Sequence, residues 1–366
     1  MMPYAFSAIT DLPGLQEQAV LPAFGCTLRT RLAIFPVQTA GLTPITFAPA
    51  PWEIPRFSLF RTDATLLSGF RLHEVSGRLF TDASIVGDTK AESDLFTRKV
   101  EIGQAEDLDK QSLDAPVVVE KGGPVLVLAS DEPANYGSWL YRFLPKYLLS
   151  RVASEFEAVL VYTPGFAFDL LDAAGVKREL VSHNPRRRYL VRNAIIPSLP
   201  APHVYLRPEI VAALRGMVPS DRKGVDLGER LYISRRMQAI RKPGFRVLIN
   251  ETELVERLRE HGFAEFIPEN HSFREQMAIF NRARIIVGCG GSNMFGCVFA
   301  SNVEFIVDLE SAPNWLFAHL NLFESLGCAY TAALGTRRGA EEDTPHVNWT
   351  IDVPAVIDGL RALGVA

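Results

Sequence analysis

The chain has few cysteines and no recognisable pairing among them. Cys26, Cys289, Cys297 and Cys328 show neither a C-x-x-C pair nor a metal-ligand spacing. That excludes thiol metal clusters and dithiol redox motifs and leaves reduced, mostly buried thiols. Charge of one sign is lacking too: 38 Lys and Arg stand against 42 Asp and Glu, a net charge of −4. Nucleic acids and anionic lipid surfaces reward a strong positive excess, so neither is expected as a partner, and any anion site must be local. Long apolar runs are absent. Nothing approaches the ~18 residues of a membrane span, and the opening MMPYAFSAITDLPGLQEQ has no basic segment leading into an apolar one. The expectation is a cytoplasmic protein without a span, for which peripheral membrane association stays open. In that setting the N-x-S/T triplets at Asn250, Asn270 and Asn348 are chance matches.

What is present is core material. At 366 residues, 48% hydrophobic and 22% charged, the chain exceeds the ~250–300 residues beyond which single cores usually divide, so more than one domain is expected. Residues 1–115 are rich in Pro and Gly with short β-like runs (LRTRLAIFPV, FSLFRT, RLHEVSGRLF), and read as a β-rich N-terminal region. Strands then alternate with helices. PVLVLAS, the helix WLYRFLPKYLLSRVA, EAVLVYT and the helix AFDLLDAAGV form a first series. A Pro- and Arg-dense segment over residues 182–228 reads as interdomain. The second series starts with the strand RLYISRR and the helix NETELVERLREHG, in which Asn250 and Glu253 form a capping box and Gly262 ends the helix. FAEFIPE and the helix SFREQMAIFNRAR follow, the latter boxed by Ser272 and Glu275. IIVGC, VEFIVDLE, the helix NWLFAHLNLFESLG and CAYTAAL complete the series. Such alternation means parallel sheets. The fold class expected is α/β with two facing Rossmann-like domains over residues 116–222 and 223–350 and a C-terminal helix over 351–366.

In doubly wound sheets, ligands sit at the carboxyl ends of strands, where helix N-termini point N–H groups inward. The stretch IIVGCGGSNMFGCVFA ends a strand in a turn holding Gly288, Gly290 and Gly291, followed by Ser292 and Asn293. Bare backbone there suits a phosphate or diphosphate. A redox dinucleotide fits less well, since the sixth position of its G-x-G-x-x-G pattern falls on Asn293, and a tight turn without ligand is the bland reading. Ser234, Arg235 and Arg236 close another strand, with Arg241 and Lys242 just beyond; guanidinium forks pair diphosphate oxygens bidentately, or else form a solvated basic turn. Asp308 and Glu310 sit where an acid accepts from a ribose hydroxyl pair or caps a helix. In the first series, Asp131 and Glu132 close a strand where a carboxylate can act as general base or merely cap a loop.

The run of motifs from RLYISRR through NETELVERLREHGF, SFREQMAIFNRARIIVGCGGSNMFGCVFA and VDLE, together with NYGSWLYRFLPKY, resembles glycosyltransferase family 61 over roughly residues 117–335. The resemblance implies a GT-B-type, inverting transferase acting on a nucleotide-sugar, UDP-linked in most members. The acceptor, a glycan or other hydroxyl compound, would sit on 116–222 and the donor on 223–350. Arg235 and Arg236 match the family's basic element, Gln276 the glutamine of its EQ helix and Asp308 its acid after the next strand. No cofactor or metal is implied, since arginines and helix ends offset diphosphate charge. The donor site is expected at Ser234, Arg235, Arg236, Arg241, Gln276, Gly288, Gly290, Gly291, Ser292, Asn293, Asp308 and Glu310, and the base at Asp131 or Glu132. The chain departs from the family where histidine and aspartate usually stand in the N-terminal signature, with Ser138 and Arg142 in their places, and where histidine, glycine and alanine usually stand in the turn, with Gly290, Gly291 and Ser292. Those departures keep a second reading open: a catalytically silent relative that binds nucleotide, glycan or a protein partner.

Overall fold

The computed structural model describes residues 15–27, 51–80 except 71 and 77, and 115–365 except 131, 177, 221–225, 242–245, 312–315 and 339–346. The β-like run LRTRLAIFPV lies outside them. The chain is α/β and divides into two compact units, Met1–Gly25 with Glu53–Pro202, and Cys26–Trp52 with His203–Ala366. No helix among the described residues is long and apolar enough to cross a membrane.

The first unit is built on β1 (Gln16–Leu21), β4 (Phe57–Ser68), β5 (Leu72–Val75), β6 (Arg78–Phe80), β7 (Val117–Val119), β8 (Val125–Leu128), β9 (Ala158–Val161), β10 (Glu179–Ser182) and β11 (Tyr189–Pro197), while β2 (Phe24–Thr27) and β3 (Pro51–Ile54) make a separate pair. The main sheet runs β10-β9-β8-β11-β4-β5-β6. Its β8 and β9, VLVL and AVLV, are buried at every position, as expected of parallel strands covered on both faces. β1, β4, β5 and β6 belong to the same sheet as the later strands: β4 pairs antiparallel with β11, which pairs parallel with β8. β11 lies inside the segment read from the sequence as interdomain. Its flanking arginines and prolines hid a strand whose Tyr189, Val191, Ala194 and Ile195 are buried.

The helix expected over WLYRFLPKYLLSRVA is interrupted in a specific way. Trp139–Phe143 winds as a π-turn ahead of α1 (Leu144–Ala153), and Leu144 donates its N–H to Trp139 O, five residues back. Pro145 supplies the cause: it has no N–H to give to the carbonyl four residues earlier, and its ring crowds that carbonyl, so the preceding turn widens. A shorter helix, α2 (Ala167–Ala173), follows β9.

The second unit carries α3 (Pro208–Arg215) and a five-stranded, fully parallel sheet of β12 (Arg230–Ile233), β13 (Ala264–Phe266), β14 (Ile285–Cys289), β15 (Phe305–Glu310) and β16 (Ala329–Leu334), in the order β13-β12-β14-β15-β16. α4 (Arg236–Arg241), α5 (Glu251–Glu260), α6 (Phe273–Arg282), α7 (Leu316–Leu326) and α8 (Val353–Ala362) connect or follow the strands. One core layer packs Leu254, Val255 and Leu258 of α5 and Val356, Ile357 and Leu360 of α8 against Tyr232, Val287, Val307 and Leu309 of the sheet. Phe273, Met277 and Phe280 of α6 are 4%, 0% and 1% exposed, so each contributes on the order of 1.5–3 kcal/mol of burial. α6 starts as its sequence dictates: Ser272 and Glu275 form a reciprocal capping box. α5 does not, because the Asn250 side chain is engaged elsewhere. Its Nδ2 donates to Ile351 O at 2.8 Å and its Oδ1 accepts from Ile351 N at 3.1 Å, tying the approach to α8 onto the start of α5.

Candidate functional site

Numbered within its own unit, the parallel sheet has the order 2-1-3-4-5. In that order successive connections leave to opposite sides between the first and third strands, and a crevice opens beyond their carboxyl ends. Here those strands are β12 and β14. β12 ends into Ser234 and Arg235, and β14 ends into Cys289, Gly290 and Gly291.

Two guanidinium groups meet at this point. Arg235 Nη1 donates to Gly290 O at 2.5 Å, and Arg246 Nη2 donates to the same carbonyl at 3.3 Å and to Glu310 Oε2 at 2.9 Å. Burial, then the neighbouring Arg246 charge, pull the Arg235 guanidinium down from its usual value, with the nearby acids offsetting part of it. Beneath them, Glu251 Oε1 accepts from Tyr232 OH at 3.0 Å, Ser234 Oγ at 2.8 Å and Arg235 N at 2.9 Å. Three bonds on one buried carboxylate oxygen fix the strand-to-helix corner that carries Arg235.

The three glycines of the turn answer to internal packing. A Cβ on Gly288 would stand 2.5 Å from Met294 Sδ, on Gly290 1.7 Å from Glu310 Oε1, and on Gly291 2.0 Å from Arg235 Nη1. Gly291 also has φ +149°, which side chains rarely adopt. The room a side chain would need is therefore filled by the protein's own sulfur, carboxylate and guanidinium. The turn runs into a 3₁₀ helix over Ser292–Phe299, whose first N–H groups have no intrahelical acceptor.

Asp308 and Glu310, two residues apart on β15, face the same side and meet His319 of α7. His319 Nδ1 lies 2.7 Å from Asp308 Oδ2 and 3.7 Å from Glu310 Oε1. All three are buried, at 0%, 1% and 4% exposure. Burial lowers the affinity of His319 for its proton, but the charge of Asp308, its hydrogen bond and then Glu310 outweigh that, so the imidazole titrates above its ordinary value. Burial and the Asp308 charge push Glu310 up, partly offset by Arg246, His319 and Arg235. The three side chains offer ligand atoms that all lie within 4.8 Å of one another, a grouping able to hold a metal ion.

The remaining candidate residues are distributed more widely. Arg236 Nη2 pairs with Glu265 Oε1 at 3.2 Å rather than turning to the glycine turn. Arg241 is exposed at the end of α4, and Lys242 lies outside the described residues. Gln276 Nε2 donates to Pro268 O at 2.8 Å and His271 O at 3.0 Å, holding the loop before α6. Asn293 Nδ2 reaches Glu269 Oε1 at 3.5 Å, and Ser292 opens the 3₁₀ helix. In the first unit Asp131 lies outside the described residues, while Glu132 has φ +51° and accepts from Ser138 Oγ at 3.0 Å. Sequence reasoning missed Arg246, Glu251 and His319. Glu251 stands in the first turn of α5, where acids are common, and His319 in the otherwise largely apolar α7. Arg246 fell between motifs, in a loop whose left-handed backbone, φ +53°, no pattern announces.

Fold and site together define an α/β protein whose second unit has a parallel sheet with Arg235 and Arg246 gathered on the Gly290 carbonyl at its switch point. Residues 136–306 match the family Glycosyltransferase 61, and over that stretch the match supports a member of that family. The match includes Ser234, Arg235, Arg246 and the glycine turn, and stops before Asp308, Glu310 and His319. No curated protein matches the chain. The matched family suggests glycosyl transfer in general, a reaction with a donor and an acceptor as substrates.

Proposed function

We propose that the chain moves a sugar from a nucleotide-sugar, UDP-linked, to a hydroxyl of a glycan acceptor with inversion, in the GT-B manner with two Rossmann-like domains. We place it in polysaccharide synthesis on the cytoplasmic side. The observation that carries the reading is the pair of guanidinium groups, Arg235 and Arg246, gathered on the Gly290 carbonyl at the β12/β14 switch point. A nucleoside diphosphate leaving group brings negative charge to such a place, and guanidinium groups with helix-start N–H groups stabilise it as it develops.

In the displacement, the acceptor oxygen forms a bond to the anomeric carbon as the bond from that carbon to the diphosphate oxygen breaks. The hydroxyl proton passes to a carboxylate base, for which Asp131 and then Glu132 are the proposed groups. Titration calorimetry of the full chain with UDP, GDP and NAD tests the donor assignment. UDP should bind, and Arg235→Ala should weaken it at least tenfold in a protein of unchanged circular dichroism. Binding of neither nucleoside diphosphate overturns the proposal, and binding of NAD alone replaces it with a redox reading.

One observation favours the silent-binder reading: the guanidinium groups of Arg235 and Arg236 are already engaged by Gly290 O and Glu265. Donor hydrolysis separates the two. A chain that binds UDP-sugar but neither hydrolyses nor transfers it across a broad acceptor panel is a binder.

A further inference from the structure

The Asp308–Glu310–His319 cluster has more acceptors than donors. Asp308 Oδ2 faces His319 Nδ1 at 2.7 Å, and Glu310 Oε2 accepts from Arg246 Nη2. That leaves Asp308 Oδ1 and Glu310 Oε1 buried with no hydrogen-bond partner among the described residues. Both carboxylates are at least 99% buried, and an unsatisfied buried acceptor is costly to leave unmade. Neither oxygen can turn to water.

The surroundings favour a bound cation over a simple rearrangement. Glu310 cannot swing away on the turn side, because Gly290 is already in contact with its carboxylate, and Arg246 anchors its other oxygen at 2.9 Å. His319 is walled by Phe295 and Phe323, with ring centroids at 5.5 and 6.0 Å. Metal–ligand bonds of about 2.0–2.2 Å put neighbouring ligands roughly 3–3.5 Å apart. The observed spread, up to 4.8 Å, therefore closes with a small inward shift of one side chain. Two carboxylates and one imidazole are a donor set for a first-row divalent cation rather than for calcium, which takes oxygen alone. Arg246 then acts as the outer partner that orients a ligating carboxylate.

We propose that Asp308, Glu310 and His319 form a buried, structural divalent-cation site that ties β15 and α7 to the glycine turn. Its closure on all sides is what distinguishes a structural ion from a catalytic one, which keeps an open position.

The test uses the full chain, stripped with a chelator, and the metal alone, so it is independent of nucleotide binding. Mn²⁺ binding is followed by the free-ion electron paramagnetic resonance signal and Zn²⁺ by calorimetry. One equivalent of at least one of the two ions should bind per chain and raise Tm by several degrees. The affinity should fall at least tenfold in His319→Gln and in Asp308→Asn, while Glu253→Gln on the outer face of α5 leaves it unchanged. Should Asp308→Asn fail to fold, His319→Gln decides alone. Less than about a fifth of an equivalent of either ion, or affinity unaltered in the cluster variants, means an adventitious ion only and overturns the site.

Discussion

His183 in the first unit and His319 in the second are each 4% exposed, yet they are driven in opposite directions. His183 is enclosed by rings, Tyr189 at 5.1 Å and Phe70 at 6.5 Å between centroids, and its Nε2 has no hydrogen-bond partner among the described residues. Burial alone pulls it down to about 4, so it is neutral. His319 is desolvated too but touches Asp308, and is held above its ordinary value. Two buried histidines are thus shifted in opposite directions, downwards where rings alone enclose the imidazole and upwards where a carboxylate touches it. The carboxylate partner, not the depth, decides.

The largest effect should come from removing that partner. Asp308→Asn removes the carboxylate that faces the His319 imidazole at 2.7 Å and so breaks a buried pair, and urea denaturation should show a loss of about 3–5 kcal/mol. A loss under ~1 kcal/mol would mean that His319 draws nothing from Asp308.

The next prediction concerns pH. The folded pKa of His183, about 4, lies below its unfolded value of about 6.5. Its contribution is therefore complete above pH 6.5 and lost as pH falls towards 4, because the unfolded chain takes up the proton first. The cost over that window is about 3 kcal/mol. Stability curves at pH 7 and 4.5 should show it, and His183→Gln should flatten that acid limb. An identical limb in the variant would assign the acid sensitivity elsewhere.

Gly290→Ala tests how tightly the charged cluster is walled in. Its Cβ would stand 1.7 Å from Glu310 Oε1, and overpacking of this kind costs about 1–3 kcal/mol. Thermal melts that match the parent would show that Glu310 has room to retreat. The smallest change, Ser272→Ala, removes the α6 cap at a cost of about 1 kcal/mol. It should leave the His183 NMR titration where it is; movement would reveal coupling between α6 and the rings that enclose His183.

The strands and helices of the second unit were legible because each has a clean period. IIVGC and VEFIVDLE are apolar runs, and SFREQMAIFNRAR carries both its cap and its buried stripe. β11 was not legible, because a strand central to its sheet is bracketed by arginines and a proline, residues that usually mark loops. The π-turn was hidden for a different reason: the consequence of Pro145 falls on the residues before it. At the site, the sequence pointed to the right corner, since strand-end arginines and a glycine turn are local signals. It missed Arg246, Glu251 and His319 because their roles exist only through contacts across 44, 16 and 11 residues of chain. It also read the glycines as space for a ligand, whereas three side chains of the protein occupy that space.

The contact between Gly290 and Glu310 makes the two positions one mutational unit. A residue with a side chain can return to 290 only if 310 first shortens, so a histidine introduced at 290 should be rejected in this background and tolerated beside Glu310→Ala. Two positions 20 residues apart thus share a single volume, and the bare backbone at Gly290 is what gives the Glu310 carboxylate its place.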